Sequence, residues 1–326
     1  MSAASNPDDA TSAIFAATVT LTQTEPQHFD LAFLATTQPC PWPKAYGGDL
    51  VAQAAAAAIR SVTDGKALHS MHSYFMRPAE IGAEVRYEVE VLRDGRGYST
   101  RQVRGYQDEK AIYVCFASFA AGEPSPSFAL RMPDGVTPAE SLPSAKAYLA
   151  TRSGGTMTDA SKRYWSSGRG FDMRHVPGPV YLEVEGARVP HQAVWVKPFD
   201  RLRPVAGLSD GARDAAALAY VCDYTILEPV LRVLGLAWAE PGLVTASLDH
   251  AMWLHRPGPV DGWLLYAQEA IAAEQGRGVA IGRFFDAEGV HRASVAQEGM
   301  IRVPIGSLES EVSLTPAVTV DGGRLG

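Results

Sequence analysis

The sequence predicts an α+β protein built from two tandem curved antiparallel sheets, each wrapped around one central helix. Three observations carry that expectation. The chain has 326 residues, 46% of them hydrophobic, beyond the size at which a single core keeps growing, so two domains are favoured. The same order of elements, a strand, a helix and then four strands, is legible twice. Landmarks recur in matching order: Arg77-Pro78 with Arg256-Pro257, Gly95-Arg96-Gly97 with Gly276-Arg277-Gly278, and Asp108 with Asp286. Chance explains any one pair, but several in one order inside one strand pattern indicate a duplication.

In the first unit, expected over 13–122, an extended segment from about Ile14 to Leu34 leads to Gly47-Gly48 and a helix from Asp49 to Arg60. The run Ala54 to Ala58 favours that helix and lets it lie close against a sheet. A strand from His69 to Met76 follows. Next, Val85, Tyr87, Val89 and Val91 alternate with Glu84, Arg86, Glu88 and Glu90, the pattern of a half-buried strand. Strands over Tyr98–Tyr106 and Ile112–Phe119 complete the unit. The stretch 123–168 is broken by Pro124, Pro126, Pro133, Pro138, Pro143, Gly154 and Gly155, and is expected to be the linker between the units.

The second unit, expected over 169–305, repeats the order. A strand over Gln192–Lys197 precedes a helix from Asp210 to Cys222, a strand from Val244 to His255, and strands over Trp263–Glu269, Val279–Phe285 and Arg292–Arg302. Residues 306–326 read as a tail. An alanine-rich helix face needs a sheet to cover it and the sheet needs a partner layer. Exposed sheet edges then favour side-by-side pairing of the two units into one continuous sheet.

A net charge of −7 argues against nucleic acid or an anionic membrane as the main partner, because both need a dense basic face. No apolar run approaches the roughly 18 residues of a membrane span. Cys40, Cys115 and Cys222 are odd in number and lack metal-ligand spacing, which points to a reduced compartment. The N-terminus has no signal-like basic and apolar pattern, and the final Gly-Arg-Leu-Gly lacks the peroxisomal tripeptide, so the cytoplasm is expected.

Several motifs have plain explanations. Gly207-Leu208-Ser209-Asp210-Gly211 fits Gly-x-Ser-x-Gly, but two prolines and three charges precede it where a nucleophile elbow needs an apolar strand. Ser209 reads instead as a helix N-cap. The two Gly-Arg-Gly segments lack the lysine and helix of a phosphate loop and read as strand turns. His69 and His72 are three apart on a strand, hence on opposite faces, and do not suggest a metal pair.

The stretch Tyr46-Gly47-Gly48, Gln53-Ala54 and His69-Ser70-Met71-His72-Ser73-Tyr74-Phe75-Met76-Arg77-Pro78 resembles the N-terminal half of type II acyl-CoA thioesterases. Asp249-His250-Ala251-Met252-Trp253-Leu254-His255-Arg256-Pro257 and Gln297-Glu298-Gly299-Met300-Ile301-Arg302 resemble their C-terminal signature. The resemblance covers about 30–125 and 190–303 and implies the double hotdog fold. It also implies a catalytic Asp, a Ser or Thr, and a Gln, which fall on Asp223, Ser247 and Gln297. Two departures are Asp49, where bacterial members carry Gln after the paired glycines, and an insertion in the linker around Ser153 to Arg169; both bear on substrate range.

The implied activity is hydrolysis of a fatty-acyl thioester of CoA, with no metal and no cofactor. Such chemistry needs a carboxylate to take a proton from water, with a hydroxyl and a carboxamide to fix the water and keep the carboxylate ionised. Asp223 is the only acid between Ala215 and Leu227, although alone it reads equally as the cap of a helix leading to Pro229. Amides at the start of the first helix, at Gly48 or Asp49, would receive the oxyanion. His72 and Tyr74 join them as candidates for binding substrate, although each also reads as core, as does His250. Arg96, Arg101, Arg104, Arg277 and Arg283 are candidates for the CoA phosphates.

Two other functions fit the fold. An enoyl-CoA hydratase or dehydratase would want Asn and His soon after the Asp, whereas Tyr224, Thr225 and Ile226 follow Asp223. A non-catalytic acyl-CoA binding protein would have no use for the trio. A homo-oligomer, dimer or tetramer, is expected from the exposed sheet faces.

Overall fold

The computed structural model describes residues 11–152 and 156–303; the expected tail at 306–326 and three residues of the expected insertion lie outside them. The elements are α1 (Ala13–Thr18), β1 (Thr22–Thr24), β2 (Leu31–Thr36), α2 (Gly47–Arg60), β3 (Ala67–Phe75), β4 (Glu84–Asp94), β5 (Tyr98–Gln107) and β6 (Lys110–Ala120). After them come α3 (Ala145–Ala150), α4 (Asp159–Ser167), β7 (Phe171–Val176), β8 (His191–Pro198), α5 (Asp210–Val221) and α6 (Glu228–Leu234). The chain continues with β9 (Val244–Ser247), β10 (Asp249–Leu254), β11 (Leu264–Glu274), β12 (Arg277–Phe285) and β13 (His291–Arg302).

Among the described residues all thirteen strands form one sheet, ordered β1-β2-β4-β5-β6-β3-β10-β13-β12-β11-β8-β7, with β9 added on β13. Read from its two ends the order is the same: β1, β2, β4, β5, β6, β3 correspond to β7, β8, β11, β12, β13, β10. The duplicated landmarks fall at equivalent places, each Arg-Pro after the strand that joins the halves and each Gly-Arg-Gly at a turn between strands. Equivalent bulges at Val91/Arg93 and Ala270/Ala272 bend the corresponding strands β4 and β11. The fold is therefore the double hotdog. Its halves join where β3 pairs antiparallel with β10, His72 opposite Ala251 and Tyr74 opposite Asp249.

Helix α2 is buried from Gly48 to Ala58, its alanines lying between the sheet and α5. Ser209 caps α5, its hydroxyl accepting from the Ala212 amide at 3.3 Å, as the sequence predicts. One core runs through both halves.

Four local readings change. The expected extended segment from Ile14 begins as helix α1, because Ala13, Ala16 and Ala17 favour helix while Phe15 is drawn into the core. Strand β7 was not expected. Val91, read as facing inward, is 37% exposed and Leu92 beside it 44%, because from the bulge onward this end of β4 leaves the core, and Glu88 is buried, accepting from the backbone of Gln27 and the side chain of Arg86. Finally, the strand expected over Val244–His255 is interrupted at Leu248. Across β13 the partner register moves by one residue, from Ser247 opposite Gly299 to Ala251 opposite Ala296.

Candidate active site

The interruption at Leu248 matters for the site. Residues three apart on a regular strand face opposite ways, so Ser247 and His250 could not both point at one neighbour. The bulge changes the parity, and both side chains reach Gln297, which points inward from β13. Asp223 approaches from the turn that follows α5. It is not a helix cap: α6 is entered at Leu227, and the Asp223 carboxylate is turned toward the sheet instead.

The structure brings the three predicted residues together. Asp223 Oδ1 accepts from Ser247 Oγ at 2.9 Å and from Gln297 Nε2 at 2.8 Å, and Gln297 Nε2 also donates to Ser247 Oγ at 3.0 Å. Gln297 is only 1% exposed. Its orientation is fixed from behind, since its Oε1 lies 2.7 Å from His250 Nδ1. An amide oxygen can only accept, so Nδ1 carries the proton of the neutral imidazole. His250 Nε2 is then an acceptor, 3.2 Å from Cys222 Sγ. Burial pushes Asp223 above the ordinary carboxylate range, and the hydrogen bonds from Gln297 and Ser247 and the Lys44 charge pull it back. Burial pushes His250 down, which keeps it neutral.

With both donors spent on Oδ1, the second carboxylate oxygen faces the start of α2. A β-carbon at Gly47 would lie 2.6 Å from Asp223 Oδ2, so only glycine leaves that oxygen open. One at Gly48 would strike the Tyr46 ring and the Tyr220 carbonyl. Tyr46 ties the halves together here: its hydroxyl donates to the Tyr220 carbonyl at 2.6 Å and its ring stacks on Tyr224 at 4.3 Å.

Other predicted positions fall elsewhere. Asp49 is fully buried and its amide donates to the Tyr46 carbonyl at 3.2 Å; one carboxylate oxygen accepts from the Gln38 amide at 2.8 Å and the other has no partner. Burial raises its pKa to about 7. His72 and Tyr74 are exposed on the outer face of β3, His72 against the edge of Trp253, while Met71, Ser73 and Phe75 point inward. Strand alternation thus puts both on the side of the sheet away from Asp223. Arg101 is buried and bound to Asp94 and Ser61, so it is structural. None of the five arginines proposed for CoA borders the site.

Two clefts, both open to solvent, meet at Ser247 and Gly47 and share Lys44, Ala45, Gly47, Ala246 and Ser247. The first has aromatic walls and reaches Asp223; the second adds Phe75, Met76 and Arg77. Sequence reasoning missed Lys44 and Arg77, the cations that border these clefts. Lys44 Nζ donates to the Thr245 carbonyl at 2.7 Å, and burial lowers its pKa. Nothing local marks a lone lysine between two prolines and a tyrosine as part of a site.

A double hotdog holding a buried carboxylate between a hydroxyl and a carboxamide defines the class as a hotdog protein of the acyl-thioester type. Residues 36–120 match the acyl-CoA thioesterase N-terminal domain and 139–301 the acyl-CoA thioesterase C-terminal domain. The human protein acyl-coenzyme A thioesterase 8 is 34% identical over 81% of this chain and 82% of its own length. Acyl-CoA thioesterase 2 of Haemophilus influenzae is 29% identical over 84% of this chain and 93% of its own. The crystal structure of acyl-CoA thioesterase II TesB2 from Mycobacterium marinum matches with a TM-score of 0.69 and 28% identity, covering 90% of this chain and 99% of that one. The chain belongs to the acyl-CoA thioesterase family.

Proposed function

We propose that the protein hydrolyses fatty-acyl-CoA to a free fatty acid and CoA, with Asp223 as the base. The observation that carries this reading is the hydrogen-bond set on Asp223: two donors on Oδ1 and an open Oδ2 beside Gly47. The donors hold the carboxylate ionised and aimed, and a water between Oδ2 and a lone pair of Ser247 Oγ gives its proton to Asp223 as its oxygen attacks the acyl carbon. The carbonyl oxygen takes up the negative charge and is met by amides of the first turn of α2, Gly48 among them, where a helix leaves donors without internal partners. When the tetrahedral intermediate collapses, the carbon–sulfur bond breaks and the CoA thiolate leaves with the proton held by Asp223. The acid and free CoA are the products, and no other reactant is needed.

Several further points belong to this reading. The units 13–122 and 169–305 supply the two sides of the site, and 123–168 joins them and adds Tyr164 and Trp165 to the cleft wall. A homo-oligomer is favoured by the outer face of the sheet, where Tyr74, Phe116 and Trp253 are exposed. Three free thiols are consistent with the cytoplasm. No helix among the described residues is long and apolar enough to cross a membrane.

Release of free thiol from a panel of acyl-CoAs, read spectrophotometrically, tests the activity. Thiol release with matching fatty acid is expected; hydration of an enoyl-CoA without thiol release, or binding without turnover, would overturn it.

A further inference from the structure

We propose that Trp165, carried by α4, forms a fixed wall of the acyl cleft and thereby selects the length of acyl chain hydrolysed. The inference rests on the hydrolase reading. A thioester of CoA has two unlike halves, one apolar and one carrying phosphates, and two unlike clefts meet at Ser247 and Gly47. Arg77, beside the shared Lys44, suits the phosphate-bearing half. The apolar half then enters the cleft walled by Trp42, Tyr46, Tyr224, Leu227 and Trp238.

Within that cleft the aromatic rings are layered. Tyr46 and Tyr224 stack beside Asp223. The Arg169 guanidinium covers both the Tyr224 ring at 4.7 Å and the Trp165 ring at 3.8 Å, and both rings line the cleft that reaches Asp223. Its indole is 5% exposed and wedged between Tyr181 at 4.8 Å and Trp238 at 5.8 Å. Trp238 is held in turn by its Nε1 hydrogen bond to Glu228 at 2.9 Å. A ring fixed on so many sides cannot swing away, so an acyl chain in this cleft meets a wall at Trp165. Thr158 caps α4, its hydroxyl accepting from the Ser161 amide at 3.1 Å, and the helix packs on α3 and β7 rather than inside either sheet-wrapped helix pair.

The test compares the wild type with Trp165→Ala and Trp165→Leu, the second keeping apolar volume in the cluster. The measurements are kcat/KM over straight-chain acyl-CoAs from butyryl to palmitoyl and, by calorimetry, binding of S-alkyl-CoA thioethers of the same lengths. A pocket distinguishes a few methylenes by roughly tenfold or more, so the long-to-short ratio in both measurements should rise by about that factor in the variants. An unchanged length profile, or equal loss at every length, would overturn the inference. Absence of turnover from every form while thioether binding shows the shift would defeat the hydrolase reading and leave the role of Trp165 standing.

Discussion

His250 Nδ1 lies 2.7 Å from Gln297 Oε1, and that contact fixes which end of the amide faces Asp223. Reversing the amide would aim an acceptor at a carboxylate and a donor at the imidazole proton. On the proposed mechanism His250 acts through Gln297 as a positioning residue. Replacement by Phe leaves Gln297 Oε1 buried without a donor, a loss worth about 1–3 kcal/mol. The expected result is a kcat about tenfold to a hundredfold lower with KM little changed. His250→Asn, which can still donate, should recover part of it. Steady-state kinetics on one acyl-CoA checks both.

With Asp223 as the proposed base, the acid limb of activity should follow its ionisation. Only the ionised carboxylate can accept the water's proton, and burial raises its pKa, so kcat/KM should fall at a pH above the ordinary carboxylate range. Lys44 favours the ionised form. Lys44→Met removes that charge, raises the Asp223 pKa further and should move the limb to higher pH. A pH–rate profile of the variant that superimposes on the wild type would remove Lys44 from the account.

Gly47→Ala puts a methyl group 2.6 Å from Asp223 Oδ2. Activity should fall by about a hundredfold or more, the scale of a lost general base. Because alanine is otherwise welcome in a helix, the melting temperature should change little. Thermal denaturation followed by circular dichroism, alongside the rate, separates the two effects.

Asp49 predicts a pH dependence of stability. Its folded pKa is about 7 against an ordinary 3.8, so the folded state binds the proton more tightly. The associated stability is fully present below the unfolded value and is lost as pH rises to about 7, amounting to on the order of 4 kcal/mol. Asp49→Asn keeps an acceptor for the Gln38 amide and cannot ionise. It should match the wild type near pH 4 and melt several degrees higher near pH 8.

The duplication was legible because it is written in spaced landmarks, Arg-Pro and Gly-Arg-Gly, and in alternation that a strand imposes on its own residues. The trio was legible only through resemblance, since Ser247 and Gln297 look like ordinary strand residues until the fold lays β9, β10 and β13 side by side. The bulge at Leu248 had no local signature; it shows in the pairing register, which depends on a partner strand fifty residues away. The same limit misplaced His72 and Tyr74. Their motif marks the strand that joins the halves, but which of its faces looks toward α2 is decided by packing. Lys44 and Arg77 were missed because the clefts they border are formed by both halves together.

The central claim is that the Asp223 carboxylate removes the proton from the attacking water. Thiol release by Asp223→Asn, a change that keeps the side chain's shape and leaves the neighbouring strands alone, tests it most directly. The account predicts a kcat lower by about a hundredfold to ten-thousandfold with an unaltered circular dichroism spectrum. A variant that is folded and turns over acyl-CoA within a few-fold of the wild type would contradict it.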